Sequence, residues 1–320
     1  MNKKTGKILS ITLPLLLGVF LIIYSYNQFT PEQRTTMMQY FADADYRYIA
    51  ASLVIALTSH MSRAYRWRYT LRHLGYESSF FTNLFAVGVG YFLNLTIPRS
   101  GEVSRALVLK KYSNVPFDKG FGTIISERFV DLIFLLICIG GTLLLQFDVL
   151  KGYLSEKIPI EKLLLYGSII AVVFIAVVLF YRYSKLQWVL KLKVKISGLI
   201  EGALSVFKMP NKWPFLFHSL YIWVAYIAMF YITIHALPGT TGISFGAVAT
   251  AFVIGSLTIT FTNGGFGVYP VVLAAILVLY NVPLEVGTAF GWIVWTSQII
   301  FVILFGGISF LLLPLLNRKK

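Results

Sequence analysis

The chain has 320 residues, of which 57% are hydrophobic and only 13% are charged, and its mean hydropathy is +0.75. Soluble domains have about a quarter of their residues charged, so this composition excludes a soluble globular protein and predicts a polytopic membrane protein. The formal net charge is +15. Because the basic residues interrupt apolar stretches rather than forming a polar domain, we interpret them as determinants of membrane orientation and not as a nucleic-acid-binding surface.

Six apolar stretches are long enough to cross a bilayer as helices. They cover residues 8–26, 48–62, 129–147, 163–181, 214–237 and 286–315, and we expect the second helix to continue to Leu74. The first stretch follows three lysines, as in a signal peptide. It is too long for a typical signal-peptide core and no small-residue cleavage site follows it, so we expect it to remain as an anchored helix.

Two further apolar stretches, residues 80–98 and 244–279, are each interrupted by a turn rich in proline or glycine. Each is either a pair of full spans or a hairpin that enters and leaves the membrane on one side. If both are re-entrant, nearly all of the excess Lys and Arg lies on the side of the two termini, which the positive-inside rule makes cytoplasmic. If residues 80–98 crossed fully instead, the basic loop 182–212 would lie outside. The sequence therefore predicts an all-α polytopic membrane protein with about six full spans plus two re-entrant helical hairpins.

The two halves of the chain align weakly at an offset of about 165 residues, which suggests an internal repeat. Residues 93–97 align with 257–261, and residues 139–144 align with 305–310. Each half would contain three spans and one hairpin, and an odd number of spans inverts the second half, as in many secondary transporters. We predict one membrane domain over residues 1–320, with an inverted 3+3 repeat (8–147 and 163–315) and an interfacial linker helix at 184–208. Chance alignment of apolar, glycine-containing helices is the alternative.

Ionisable residues at the tip of the first hairpin and at the mouth of the next span are the candidate headgroup-binding site. They are Arg99, Ser100, Gly101, Glu102, Arg105, Glu127 and Arg128. Charged groups in such positions are costly unless they are paired or functional. Residues 101–111 should form a helix whose N-terminus attracts an anion, and arginine binds phosphate in a bidentate manner. The alternative is internal pairing at i,i+3 spacing, as between Glu102 and Arg105 or between Arg128 and Asp131.

Two further groups complete the candidate residues. The second hairpin carries no charge, and its candidate gate consists of Asn263, Gly264, Gly265, Gly267 and Tyr269. Such a glycine-lined groove suits a lipid chain or a closely packed gate, and helix packing on small residues is the alternative. Arg63 and Arg66 continue the second helix towards the interface, where we expect them either to line a headgroup entrance or to snorkel.

Enzyme and metal-site signatures are missing from the sequence. The single cysteine, Cys138, excludes a disulfide within the chain, and the four histidines have no metal-ligand spacing. No P-loop and no G-x-S-x-G or H-E-x-x-H motif is present. We therefore expect no catalytic residues, no metal and no cofactor.

The charged motifs and the glycine-rich turn occur in an order that resembles a known family. The residues are Pro98, Gly101-Glu102 and Arg105, then Glu127-Arg128 and Asp131-Leu132, then Gly264, Gly265 and Gly267. In this order they resemble the lysylphosphatidylglycerol synthase transmembrane-region family, also described as flippase-like domain proteins, over nearly the whole chain. The third motif departs from the family, with Tyr269 or Pro270 where an acid often occurs. The resemblance implies a two-repeat membrane domain that handles lipid, without the aminoacyltransferase domain of the full-length relatives.

The sequence thus predicts a multi-pass protein of the bacterial inner (plasma) membrane with both termini in the cytoplasm. We expect a lipid flippase or transporter for an anionic phospholipid or polyprenyl phosphate. The expected partners are membrane lipids and envelope-lipid biosynthetic enzymes, and no nucleic acid. The alternatives are a membrane enzyme that transfers a sugar or aminoacyl group on a lipid carrier, with Glu102 or Glu127 as base, and an accessory subunit of envelope lipid synthesis.

Overall fold

A computed structural model describes residues 29–97, 99–148, 179–187, 208–262 and 264–317, with isolated positions at 23, 27 and 206 and elsewhere between 165 and 193. Throughout these residues the regular structure is helical, which confirms the all-α prediction. Nearly all of the predicted first span, about half of the predicted span at 163–181 and most of the predicted linker helix at 184–208 lie outside the described residues. Pro98 and Asn263 also lie outside them.

In chain order, the helices with defined bounds are α1 (Pro31–Asp43), α2 (Tyr46–His73), α3 (Phe80–Thr96), α4 (Ser100–Ser113), α5 (Phe117–Leu145), α6 (Lys212–Ile234), α7 (Phe245–Phe261), α8 (Val268–Val278) and α9 (Leu284–Leu316). By length and composition α5, α6 and α9 are long and apolar enough to cross a membrane, and α3, α7 and α8 are shorter apolar helices. The chain is therefore an all-helical, multi-pass membrane protein.

Two helix bounds bear on the sequence predictions. Helix α2 ends at His73 with Leu74 as its C-cap, which confirms its predicted continuation beyond the apolar stretch. Helix α5 begins at Phe117, whereas the sequence placed this span from residue 129. An apolar window misses the first turns of α5 because they contain Asp118, Lys119 and Glu127.

The chain divides into two compact units, one formed by residues 1–124 with 209–320 and the other by residues 125–208. In the first unit α2 packs along α6 and against α3, and α3 packs against α4 and α9. Helix α8 packs against α7 and α9, and α1 also contacts α9. In the second unit the described residues are 125–148, which include the part of α5 from Ile125 onwards, residues 179–187, and isolated positions.

Helices α2 and α6 run antiparallel. The backbone N–H of Asp45 donates to the Ala236 carbonyl at 2.9 Å, next to the beginning of α2 and the end of α6. Towards the other end, Ser62 Oγ lies 2.8 Å from His218 Nδ1. Residue numbers thus rise along one helix as they fall along the other, and the two helices pack together along their length.

Two helical hairpins follow this pair in sequence, and they share local geometry. Helices α3 and α7 each have 17 residues and begin after serine N-caps, Ser79 and Ser244. Each serine Oγ accepts a hydrogen bond from a backbone N–H of the first turn, which is the preferred way to start a helix. Three residues after the last helical residue, Arg99 (φ 61°) and Gly264 (φ 66°) adopt the left-handed conformation that reverses the chain.

A close approach of two glycines holds α3 against α4. A Cβ added to Gly90 would lie 3.0 Å from the Gly101 carbonyl oxygen, and a Cβ added to Gly101 would collide with the Gly90 carbonyl and the Asn94 side chain. The Gly101 N–H donates to Asn94 Oδ1 at 2.7 Å. Small residues at a helix contact allow backbones to approach in this way, so this pair fixes the position of α4 in the bundle.

The apolar core of the first unit surrounds Trp67 of α2. Its ring is fully buried among Leu71, Ala86 of α3 and Leu109 of α4. Its Nε1 donates to Thr123 Oγ1 of α5 at 2.9 Å, which satisfies the one polar atom of the indole. The orientation of this ring is therefore fixed by packing and by a hydrogen bond.

We expect Gly101→Ala to lower the Tm of the detergent-solubilised protein. The new methyl group would meet the Gly90 carbonyl and Asn94, and overpacking of this kind costs about 1–3 kcal/mol. Gly307→Ala in α9 is the matched control, because a Cβ there meets nothing within 4 Å. Thermal unfolding followed by tryptophan fluorescence compares the two variants. A Tm of Gly101→Ala at or above that of the wild type would contradict the close approach of α3 and α4.

Candidate functional site

Arg105, on the helix that leaves the first hairpin, is buried with 4% of its surface exposed. Its guanidinium carbon lies 4.0 Å from the centroid of the Trp67 ring. A cation over an indole face is stabilised by about 2 kcal/mol when both are desolvated. A Cβ added to Gly90 would lie 3.0 Å from Arg105 Cγ, so the aliphatic part of the side chain packs closely against α3. Helix α2 thus contacts the guanidinium of Arg105, and α3 contacts the aliphatic part that carries it.

The turn before Arg105 has a different environment. Arg99 is exposed, and Ser100 Oγ donates to the carbonyls of Leu93 and Ile97 at 3.0 and 2.7 Å. The predicted helix after the turn is confirmed, because α4 covers Ser100–Ser113. Its Gly101 N–H is already bonded to Asn94, so an anion at this helix end would have to use later amide groups.

The two predicted arginines of this hairpin therefore occupy unlike positions. Arg99 is at the exposed turn, and Arg105 is enclosed by Trp67 and Gly90. A guanidinium in water is available for a first encounter with an anion, whereas a buried one gives a stronger interaction because the surrounding dielectric is low. Glu102 lies between them in sequence and is partly buried.

The acidic motif of α5 belongs to the second unit. Glu127 is fully buried, Asp131 is also buried, and Arg128 is partly buried. Buried ionisable groups in an apolar helix are costly unless they are paired or functional. Their burial agrees both with a ligand site and with internal ion pairing, the two alternatives open at the level of sequence.

Arg63 and Arg66, expected near an interface, lie inside the contact between α2 and α6. Their exposed fractions are 2% and 0%. Arg63 Nη2 donates to Tyr226 Oη at 2.9 Å, and Arg66 Nη1 donates to Ser219 Oγ at 3.1 Å. The Arg66 guanidinium also lies 5.4 Å from the ring centroid of Phe215. Snorkelling therefore does not describe these two side chains.

The partners of the buried arginines were not found from the sequence. Ser219 and Tyr226 are seven residues apart on α6, and therefore lie on the same face of that helix. This spacing was available as a signal. Hydroxyls are common in apolar helices, however, and only the pairing of α2 with α6 shows that these two face arginines. The roles of Asn94 and Trp67 were also missed, because they too depend on which helices pack together.

The turn between the two helices of the second hairpin is held by several hydrogen bonds. Gly264, Gly265 and Gly267 all have positive φ angles, of 66°, 78° and 71°. The Gly265 N–H donates to Thr262 Oγ1 at 2.9 Å, and Trp295 Nε1 of α9 donates to the Gly264 carbonyl at 2.8 Å. Only glycine adopts such a series of left-handed residues at little cost, so the turn is fixed by its sequence and tied to α9.

Tyr269, also predicted at this hairpin, is buried against α7. A Cβ added to Gly255 would lie 2.9 Å from Tyr269 Cε2, so the ring occupies the space that the glycine leaves. Across the described part of the chain, no group of three or more His, Cys, Asp or Glu side chains is arranged to hold a metal ion.

Comparison with known proteins finds a matching family and similar individual proteins. Residues 10–306 match the family described as "Lysylphosphatidylglycerol synthase TM region". Glycosyltransferase AglD of Haloferax volcanii is 38% identical over 94 residues, which are 28% of this chain and 15% of AglD. A UPF0104 membrane protein of Methanocaldococcus jannaschii is 23% identical over 278 residues, 76% of this chain and 77% of that protein. No solved structure shows significant similarity to this chain.

The family match covers most of the chain, including both helical hairpins and the charged motif of α5. It confirms the resemblance drawn from the glycine and charged motifs. This multi-pass membrane protein belongs to the lysylphosphatidylglycerol synthase TM region family.

Proposed function

We propose that this protein is a flippase or transporter for an anionic lipid, either a phospholipid or a polyprenyl phosphate. The observation that carries the proposal is Arg105, a buried guanidinium on the leaving helix of the first hairpin. A charge kept inside an apolar bundle is expensive and is usually retained for a ligand or a transport path. Phosphate is the lipid group that a fixed guanidinium recognises best.

The path begins, in this proposal, at the exposed turn of the first hairpin. Arg99 attracts the headgroup at the cytoplasmic surface and Arg105 binds it within the bundle, while the acyl or prenyl chains stay in the bilayer. Glu102, between these two arginines in sequence, lines the route and balances part of its charge. The turn of the second hairpin, with Gly264 and its neighbours, is the gate towards the outside.

An inverted repeat underlies this path, and the order of helices supports it. Helices α2 to α5 have 28, 17, 14 and 29 residues, and α6 to α9 have 23, 17, 11 and 33. The corresponding helices α2 and α6 pack antiparallel, as a two-fold axis in the membrane plane requires. The positions of Ser79 and Ser244, and of Arg99 and Gly264, agree with the same offset of about 165 residues.

Re-entry of both hairpins is supported by length. Helices α3 and α7, with 17 residues each, are about 25 Å long, and α8 is about 16 Å long. The hydrocarbon core is about 30 Å thick, so a hairpin of these helices returns to its own side more readily than it crosses. With the positive-inside rule, this supports the proposal that both termini are in the cytoplasm. The bacterial inner membrane is the location we propose for the protein.

A second candidate function is favoured by the likeness to glycosyltransferase AglD. This protein would then transfer a glycosyl group on a lipid carrier, with Glu102 or Glu127 as base. The likeness covers 15% of AglD and so leaves its activity a proposal for this chain. Incubation of purified protein with a radiolabelled sugar-nucleotide donor and polyprenyl phosphate tests it, and labelled lipid would favour the enzyme over the transporter.

We expect Arg105→Gln to slow translocation of labelled phosphatidylglycerol in proteoliposomes by about ten-fold to hundred-fold. A hydrogen bond to a charged group contributes about 1.5–3 kcal/mol, and glutamine keeps a polar N–H group but is shorter than arginine and carries no charge. Lys110→Gln is the matched control, because Lys110 is exposed on the same helix. Protection of the label from a membrane-impermeant quencher measures the rate. Wild-type rates for Arg105→Gln, with unchanged Tm, would contradict the role of this arginine.

Single cysteines in a Cys138→Ser background test the inverted topology. Glu77 precedes the first hairpin and Thr241 precedes the second, and both are exposed. We expect Glu77→Cys to react with an impermeant maleimide only from the cytoplasmic side, and Thr241→Cys only from the outside, because the second repeat is inverted. Labelling of both from one side, in right-side-out and inverted vesicles, would exclude the inverted repeat.

A further inference from the structure

A second group of polar side chains lies between α2, α3 and α6, and it contains neither Arg99 nor Arg105. Arg63 donates to Tyr226 Oη at 2.9 Å, and the hydroxyls of Tyr226 and Tyr91 lie 3.5 Å apart. We call these three residues the Arg63 cluster. Arg63 is buried, whereas Tyr91 and Tyr226 are partly exposed. The two tyrosines are therefore the exposed part of the Arg63 cluster, and its charged group is buried.

Helix direction explains how Arg63 and Tyr226 meet. Side chains on a helix lean towards its N-terminus, so on antiparallel helices they lean towards each other. Ser62, next to Arg63, lies opposite His218, and Tyr226 is eight residues further along α6. The backbones of Arg63 and Tyr226 are thus offset by roughly two helical turns, and the two side chains together bridge this distance, with Arg63 directed towards the middle of the helix pair.

Aromatic stacking fixes the remaining phenol. The His60 ring lies 4.7 Å from the Tyr91 ring and 5.3 Å from the Phe305 ring, centroid to centroid. Trp223 packs edge-on against Tyr226 at 6.0 Å. Both hydroxyls are thereby oriented by rings from α2, α6 and α9, and a ligand would meet donors that are already in place.

The Arg63 cluster is not a product of the internal repeat. At an offset of 165 residues, the positions equivalent to Arg63 and Tyr226 are Ala228 and Met61, which are apolar. The contact between Arg63 of α2 and Tyr226 of α6 therefore has no polar counterpart at the repeat-related positions of the same helix pair. A polar group placed on one side of a symmetric contact, at the cost of burying a charge, points to a specific role.

We propose that Arg63 and Tyr226 form a second phosphate-binding site, to which a lipid headgroup moves from Arg105 on its way through the membrane. The inference rests on the proposed lipid transport and adds the class of headgroup. At this contact one guanidinium is combined with phenolic hydroxyls. A phosphodiester, with a single negative charge, matches such a donor set, whereas a dianionic monoester requires further cations.

The phosphate atoms fit the geometry without new chemistry. A phosphate oxygen accepts from the guanidinium N–H groups of Arg63 and from the tyrosine O–H, and the Arg63–Tyr226 hydrogen bond holds the two donors side by side. The same donors would accept free phosphate as well as a lipid headgroup. Binding of a phospholipid and binding of inorganic phosphate distinguish the two sources.

Tyr226→Phe is the test variant, and Tyr221→Phe is its matched control. Both hydroxyls are on α6 and both make a 2.9 Å hydrogen bond to α2. Tyr221, however, is 39% exposed and bonds the neutral Thr58. Native mass spectrometry of the full chain with phosphatidylglycerol, phosphatidic acid or inorganic phosphate measures binding. Arg63→Gln serves as a second variant that removes the charge.

We expect Tyr226→Phe to weaken phosphatidylglycerol binding about ten-fold, Arg63→Gln to weaken it further, and Tyr221→Phe to leave it unchanged. Phosphatidylglycerol should bind more tightly than phosphatidic acid. Equal binding by Tyr226→Phe and Tyr221→Phe would overturn the site. Tighter binding of phosphatidic acid would overturn the phosphodiester assignment, and displacement of the lipid by inorganic phosphate would make this a free-phosphate site.

Translocation rates separate this inference from the proposed function. If the wild type moves phosphatidylglycerol and Tyr226→Phe moves it equally fast, lipid transport holds and the second site is wrong. If the wild type moves no lipid but Tyr226→Phe loses bound phosphatidylglycerol, the site holds as a binding site and the proposed transport is wrong. The Tm of each variant shows that the comparison is made between folded proteins.

Discussion

The burial of guanidinium groups inside an apolar helix bundle is the constraint on which the first unit depends. Arg63, Arg66 and Arg105 are all buried, and each is held by a hydroxyl or an aromatic face of a neighbouring helix. A charge in this environment must keep such contacts or leave the interior. The contact of α2 with α6 and the position of Trp67 are therefore also requirements of these charges.

The glycine contacts serve the same constraint. Because Gly90 and Gly101 allow the backbones of α3 and α4 to meet, Arg105 lies beside α3 and under the ring of Trp67. A larger residue at Gly90 would occupy the space of the Arg105 side chain. The first hairpin thus has one arginine exposed to solvent and one enclosed in the bundle. An anion that moves from the first to the second would replace its hydrogen bonds to water with hydrogen bonds to fixed protein groups.

The sequence predicted the helices and the charged residues of the site more readily than the side chains that contact those residues. Apolar length and turn residues predicted the helical hairpins, and the charges at the first of them marked Arg105. The faces of the helices were not predicted, because the roles of Ser219 and Tyr226 follow from the antiparallel pairing of α2 with α6, a contact between residues more than 150 positions apart. The start of α5 was placed too late because its first turns are polar, and helix formation does not require apolar residues.

The central claim is that buried arginines of this bundle bind a lipid phosphate. An experimental structure of the wild-type protein in nanodiscs of phosphatidylglycerol tests it most directly. The account predicts density for a lipid headgroup inside the bundle, with its phosphate within hydrogen-bonding distance of the guanidinium of Arg105 or Arg63. Lipid phosphates found only in the annular layer, with both guanidinium groups bonded solely to protein side chains, would contradict it.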